Sequence, residues 1–82
     1  MTDKKLILTI TAEECGELTQ AVCKILRHGV DRKKKKDLME EAGDVQCMID
    51  LLAKHKFFTK KQLKDRIKIK QNKMQKRHGK FF

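Results

Sequence analysis

Proline, tryptophan and tyrosine are absent from this chain of 82 residues, and glycine occurs only four times. Without proline, no segment is forced to break at a missing backbone donor. No stretch reads as a strand, and there is no internal repeat. The aromatic residues are four late phenylalanines, Phe57, Phe58, Phe81 and Phe82. Phe57 and Phe58 are expected to cover the core, with stacking on a base as the alternative. Cysteine is scarce and odd in number, and Cys15, Cys23 and Cys47 have no C-x-x-C spacing, which excludes a disulfide framework and a zinc ribbon. They read as reduced thiols that pack as small apolar groups in a cytoplasmic protein. Long apolar runs are missing too. None approaches the roughly 20 residues of a membrane-spanning helix, and the short apolar-rich segment before Glu13 is expected to be too small for a signal peptide.

Negative charge is missing from one region in particular. Residues 54–82 hold twelve Lys or Arg against Asp65 alone, whereas residues 1–53 hold nine against ten Asp or Glu. A near-neutral segment rich in acids is thus followed by a strongly basic one, from about residue 54 to 82, whose natural partners are polyanions. We read the whole of 1–82 as one domain. A chain this short and this charged, with no disulfides, gains stability by burying helix faces against a second copy, so a homo-oligomer is expected.

Three helices account for the pattern. Thr2 or Asp3 can cap the first, in which Ile7, Ile10, Glu14, Glu17, Ala21 and Ile25 advance by three or four along one face. Leu6, Leu18, Val22 and Leu26 widen its apolar side, and His28-Gly29 suits a helix end. Residues 30–36, with the run Lys33 to Lys36, read as a connector, either solvated or reaching over a bound phosphate. Asp37 is expected to cap the second helix, with Glu40 at the reach of a capping box and an inner stripe of Leu38, Glu41, Val45, Met48 and Leu52. That helix ends near Lys54-His55-Lys56. Thr59 with Gln62 forms a capping-box pattern for the third, which carries Leu63, Ile67 and Met74 and stops at His78-Gly79. The tail Lys80-Phe81-Phe82 either frays or docks into a neighbour. His28, His55 and His78 each fall at a helix C-terminus, where a dipole contact is expected rather than ligation. The fold class is therefore all-α, a small bundle of about three helices per chain completed by homo-oligomerisation.

Acids interrupt both apolar stripes. Glu13, Glu14 and Glu17 lie within one turn, and Glu41 and Asp44 repeat the i, i+3 spacing on the second helix. A short connector brings the two midpoints together. Carboxylates at core positions are costly unless paired. An all-oxygen set without histidine suits a hard cation, Mg²⁺ or Mn²⁺ rather than zinc. The plain alternative is ordinary surface charges matched by lysines. Gly16 and Gly43 sit inside these motifs, where glycine costs about 1 kcal/mol against alanine; a close helix crossing or a close ligand would account for them.

Glu13-Glu14-Cys15-Gly16-Glu17 followed by Glu41-Ala42-Gly43-Asp44 resembles the paired acidic signature of the MazG-like, all-α nucleoside triphosphate pyrophosphohydrolases. The spacer of 23 residues between Glu17 and Glu41 is compatible with that family. The resemblance runs from about Leu6 to Leu52, and more loosely through the basic ending Lys70-x-x-Lys73-x-x-x-Arg77-x-Gly79. It implies Mg²⁺-dependent hydrolysis of a (d)NTP to the (d)NMP and pyrophosphate. It also implies Mg²⁺ ligation by Glu14, Glu17, Glu41 and Asp44, with Glu13 at a further metal or accepting a proton from the attacking water, and a site completed in a homodimer or homotetramer. Lys70, Lys73 and Arg77 share one side of the third helix and can hold the β- and γ-phosphates; the alternative is a solvated lysine-rich face. The competing function is a small basic protein that binds nucleic acid or a regulatory partner through its C-terminus, the acids being structural.

Overall fold

Two long helices folded back on each other form the body of the molecule. The computed structural model describes residues 2–81 and contains α1 (Asp3–His28), α2 (Arg32–Lys54) and α3 (Lys60–His78), with a short 3₁₀ turn at Gly79–Phe81. Thr2 caps α1 by accepting from the Lys5 N–H at 3.1 Å. Thr9 and Thr11, poor helix formers, turn their hydroxyls onto the carbonyls of Lys5 and Ile7 at 2.8 and 2.7 Å, so no side-chain donor is left to compete with the helix. Gly29 ends α1 at φ 80°, a backbone region open to glycine.

The second helix starts earlier than the sequence reading places it. Asp31, not Asp37, is the N-cap: its carboxylate accepts from the Lys34 N–H at 2.8 Å and from the Lys34 ammonium at 2.6 Å. The run Lys33 to Lys36 therefore lies in the first turns of α2 rather than in a connector. Asp37 instead pairs one turn back with Lys33 at 3.0 Å. A lysine run at a helix start is unfavourable to the dipole, and acids three or four residues away offset it: Asp31, Asp37 and Glu40 all answer it.

Helix α2 closes without glycine. The Phe57 N–H bonds to the Leu52 carbonyl and the Lys56 N–H to that of Ala53, both at 3.0 Å, with Lys56 at φ 67°. This is a Schellman ending with lysine at the left-handed position that glycine usually takes. Thr59 then caps α3, and its reciprocal bonds with Gln62, at 2.9 and 3.0 Å, complete the expected capping box. Helix α3 ends at His78 as expected. Gly79, however, keeps right-handed helical geometry (φ −53°) and leads into the 3₁₀ turn instead of stopping the chain. Phe81 is exposed; Phe82, which shares its expected docking role, lies outside the described residues.

Helices α1 and α2 pack antiparallel along their length. Lys4, at the start of α1, stands 5.6 Å from the ring centroid of Phe57, just past the end of α2. Ile7, Ala21 and Met48 are buried between the helices, flanked by half-buried Ile10, Ile25, Leu38, Val45 and Leu52, as both stripes require. Helix α3 does not lie along this pair. The molecule measures 40 × 30 × 15 Å with a radius of gyration of 15.1 Å, against about 12 Å for a compact domain of this length. A thickness of 15 Å is little more than one helix, whose diameter is about 10–12 Å. A single layer cannot enclose a core on both faces. Accordingly Leu26 is 78 % exposed, and Val22, Ile67 and Ile69 face solvent as well. Cys15 and Cys47 are exposed and Cys23 half-buried, so the first two do not pack within this chain as expected. No helix among the described residues is long and apolar enough to cross a membrane.

Candidate metal centre

The antiparallel pair brings the two acidic motifs to the same level. Glu14 and Glu17 come from one turn of α1, and Glu41 and Asp44 from one turn of α2. Each offers a carboxylate oxygen, and all four oxygens lie within 4.8 Å of one another. Glu14 and Glu41 are half-buried towards the helix interface, while Glu17 and Asp44 stand at its edge, exposed.

These acids differ from the others in what surrounds them. Among the described residues, every lysine–carboxylate ion pair uses Asp31, Asp37, Glu40 or Asp65. None reaches the four clustered groups, so the picture of surface acids matched by lysines fails for them. The Oε2 atoms of Glu14 and Glu41 are buried and have no hydrogen-bond partner. A buried, unpartnered carboxylate oxygen is costly. Both carboxyls are pushed above their usual 4.5. Burial is the main cause for each; for Glu14 the Glu17 charge comes next, and for Glu41 the proximity of the Glu17 carboxyl. Asp44 adds to both shifts. The cluster contains acceptors and no donor, which is the demand a cation answers. Mg²⁺ holds oxygens at about 2.0–2.1 Å, so ligands on opposite sides of one ion stand about 4 Å apart. The four oxygens already lie near that spacing, and the set has neither nitrogen nor sulfur to favour a softer metal.

Glu13 is exposed and stands outside the four-oxygen group, adding only the weakest of the repulsions felt by Glu14. Lys70, Lys73 and Arg77 are exposed on α3, and none of them lines the cleft that adjoins the carboxylates. That cleft, of about 280 Å³, lies between α1 and α2 and contains two cationic residues beside Glu17 and Glu41: Lys24, which the sequence reading did not single out, and Lys34, from the run it read as solvated or reaching over a phosphate. Their signal was available: each stands seven residues from an acid of the motif, two turns along the same helix face. An added Cβ at Gly16 or Gly43 meets nothing within 4 Å, so no close helix crossing within the chain explains either glycine.

The model of the MazG nucleotide pyrophosphohydrolase domain family matches residues 2–82. No curated protein and no solved structure matches the chain.

Proposed function

The chain belongs to the MazG nucleotide pyrophosphohydrolase family, and from that premise we propose that it hydrolyses a nucleoside triphosphate, ribo or deoxy, to the monophosphate and pyrophosphate with Mg²⁺, or Mn²⁺ in its place. One observation supports this most: four carboxylates converge from two helices, with two buried oxygens lacking any donor. In this reading Glu14, Glu17, Glu41 and Asp44 hold the divalent cation. A bound cation offsets charge on the phosphoryl oxygens and lowers the pKa of a bound water. The oxygen of water forms a bond to the α-phosphorus, the bridge to the β-phosphorus breaks, and pyrophosphate leaves. Glu13, exposed next to Glu14, takes the proton released by the water.

The active unit in this reading is a homo-oligomer, dimer or tetramer, of a single 1–82 domain. A body one helix thick, with three buried side chains among the described residues and an exposed Leu26, Ile67 and Ile69, leaves the second face of its stripe for another copy. The substrate contacts of Lys70, Lys73 and Arg77 then arise across the subunit interface. Pyrophosphate release from a panel of ribo- and deoxyribonucleoside triphosphates, with and without Mg²⁺, tests the activity. Turnover that survives Glu17→Gln removes the carboxylate site from the reaction.

The freestanding α3 supports a second reading. It buries no side chain, and its nine Lys or Arg face Asp65 alone. Such a surface suits a nucleic-acid backbone. Binding of this kind weakens steeply with salt and survives Glu17→Gln; a duplex titrated at two salt concentrations distinguishes it from catalysis.

A further inference from the structure

The cleft beside the carboxylates carries charge of both signs in a fixed order. Glu17 and Glu41, members of the four-acid group, line it together with Lys24, Lys34 and Asp37. Lys24 follows Glu17 by seven residues and Lys34 precedes Glu41 by seven, so each lysine shares a helix face with its acid, about 10 Å along the axis. Because α1 and α2 run antiparallel, both spacings lead in the same direction, towards the connector at Gly29–Asp31. Two lysines from different helices therefore face one cleft on one side of the candidate metal centre.

Their surroundings differ usefully. The Lys34 side chain is 24 % exposed, and its ammonium is held 2.6 Å from Asp31, which fixes the charge at the cleft. An ammonium has three donors, so this contact leaves others for a ligand. Asp31 keeps its capping bond to the Lys34 N–H through its other oxygen. Lys24 takes part in no ion pair among the described residues, and helix geometry leans its stem back towards Glu17. The volume of about 280 Å³ falls just under the 300–1,000 Å³ of pockets that enclose a whole drug-sized ligand. It suits a short phosphate chain, with the nucleoside outside.

We propose that Lys24 and Lys34 form the seat for the pyrophosphate end of the substrate, its β- and γ-phosphates, and for the pyrophosphate product. This rests on the pyrophosphohydrolase reading, and it moves the principal phosphate contacts from α3 to the α1–α2 pair. The triphosphate lies along the cleft, its reacting phosphorus at the carboxylates and its terminal phosphate towards the connector.

Calorimetric titration of the full chain with pyrophosphate in the presence of Mn²⁺, alongside a Mn²⁺ titration without pyrophosphate, tests the assignment. Lys24→Gln and Lys34→Gln should each weaken pyrophosphate binding about tenfold, as expected for a lost charge-assisted contact. Mn²⁺ affinity should stay within a factor of two, and Lys34→Arg should retain most of the binding. Inhibition by the nucleoside monophosphate, which lacks the pyrophosphate end, should not change. Pyrophosphate binding by the double Lys→Gln variant equal to that of the wild type overturns the proposal, as does a parallel fall in Mn²⁺ affinity. A wild type that takes up Mn²⁺ but no pyrophosphate overturns the lysine assignment alone. A wild type that takes up no Mn²⁺ overturns the underlying reading instead.

Discussion

The α1–α2 pair and α3 are built from similar material, lysine-rich helices with a thin apolar stripe, yet they end in different environments. In the pair, lysines at the start of α2 are tied to acids at 2.6–3.8 Å, while four other acids are gathered without any cation. In α3 the basic residues meet a single acid, Asp65, which pairs with Lys61 at 2.9 Å, and no side chain is buried. Stripe quality explains the difference. Helices α1 and α2 present apolar residues at every turn and find each other. Helix α3 offers Leu63, Ile67 and Met74 among lysines, too little to hold it against the pair within one chain. Unmatched charge therefore accumulates with opposite signs in the two regions: negative where the paired helices must approach, positive on the helix that buries no side chain.

The sharpest way to break this comparison is to act on each region separately. Glu17→Gln or Asp44→Asn should lower Mg²⁺-dependent pyrophosphate release by more than about 100-fold, since losing even an outer-shell partner of a metal ligand costs 10–100-fold. Circular dichroism should show unchanged helicity. Replacing Lys70, Lys73 and Arg77 together by glutamine should act mainly on KM. If that triple variant were as inactive as Glu17→Gln, α3 would belong to the chemical centre and the division would fail.

Next in size is a charge placed on the exposed stripe. On a free surface Ile67→Glu would change stability by no more than about 0.5 kcal/mol. Against a second copy it should cost about 1–3 kcal/mol and shift the sedimentation profile towards monomer. Urea denaturation and analytical ultracentrifugation read the two effects.

The acidic cluster should leave its mark on the pH dependence of the metal-free protein. The folded-state pKa values of Glu14 and Glu41 are raised above the usual 4.5, so the folded form binds more protons than the unfolded form between the two values. Their contribution to stability is then fully present below about 4.5 and lost as pH rises through the raised values. Denaturation midpoints should fall as pH rises above about 4.5. Glu14→Gln should flatten the slope, and added Mn²⁺, binding only the folded state, should raise the midpoint most at the higher pH. A slope of the opposite sign would show that the cluster is not strained.

The smallest effects sit at the junction of the two regions. Thr59→Ala removes the capping box of α3 and should cost about 1 kcal/mol. Lys56→Gly should stabilise by about the same amount, because lysine holds a left-handed conformation there. Chemical denaturation measures both. If neither changes the unfolding transition, α3 melts independently of the pair.

Much of this was legible in residue order. Thr59 and Gln62 announced their capping box, Thr2 was one of two candidates for the cap of α1, His28-Gly29 announced the end of α1, and Glu14, Glu17, Glu41 and Asp44 stood out because acids replaced apolar residues in a periodic stripe. The start of α2 was misplaced because Asp37, with Glu40 three residues on, read as the cap, and only hydrogen bonding shows that Asp31 takes the Lys34 N–H while Asp37 turns to Lys33. The Lys56 ending carries no glycine to reveal it. Lys24 passed unnoticed, and Lys34 was read only as one of a run, since their meaning depends on two helices being aligned.

Sequence alone determined that there are three helices, the capping box at Thr59 and the acids that interrupt the stripes, because helix periodicity and capping act over three or four neighbouring residues. Tertiary structure decided which charges meet. The antiparallel alignment of α1 and α2 brought four carboxylates within 4.8 Å and opened a lysine-lined cleft beside them. It also left α3 outside that packing, because contacts between residues far apart in the chain depend on which faces are apolar enough to stay together.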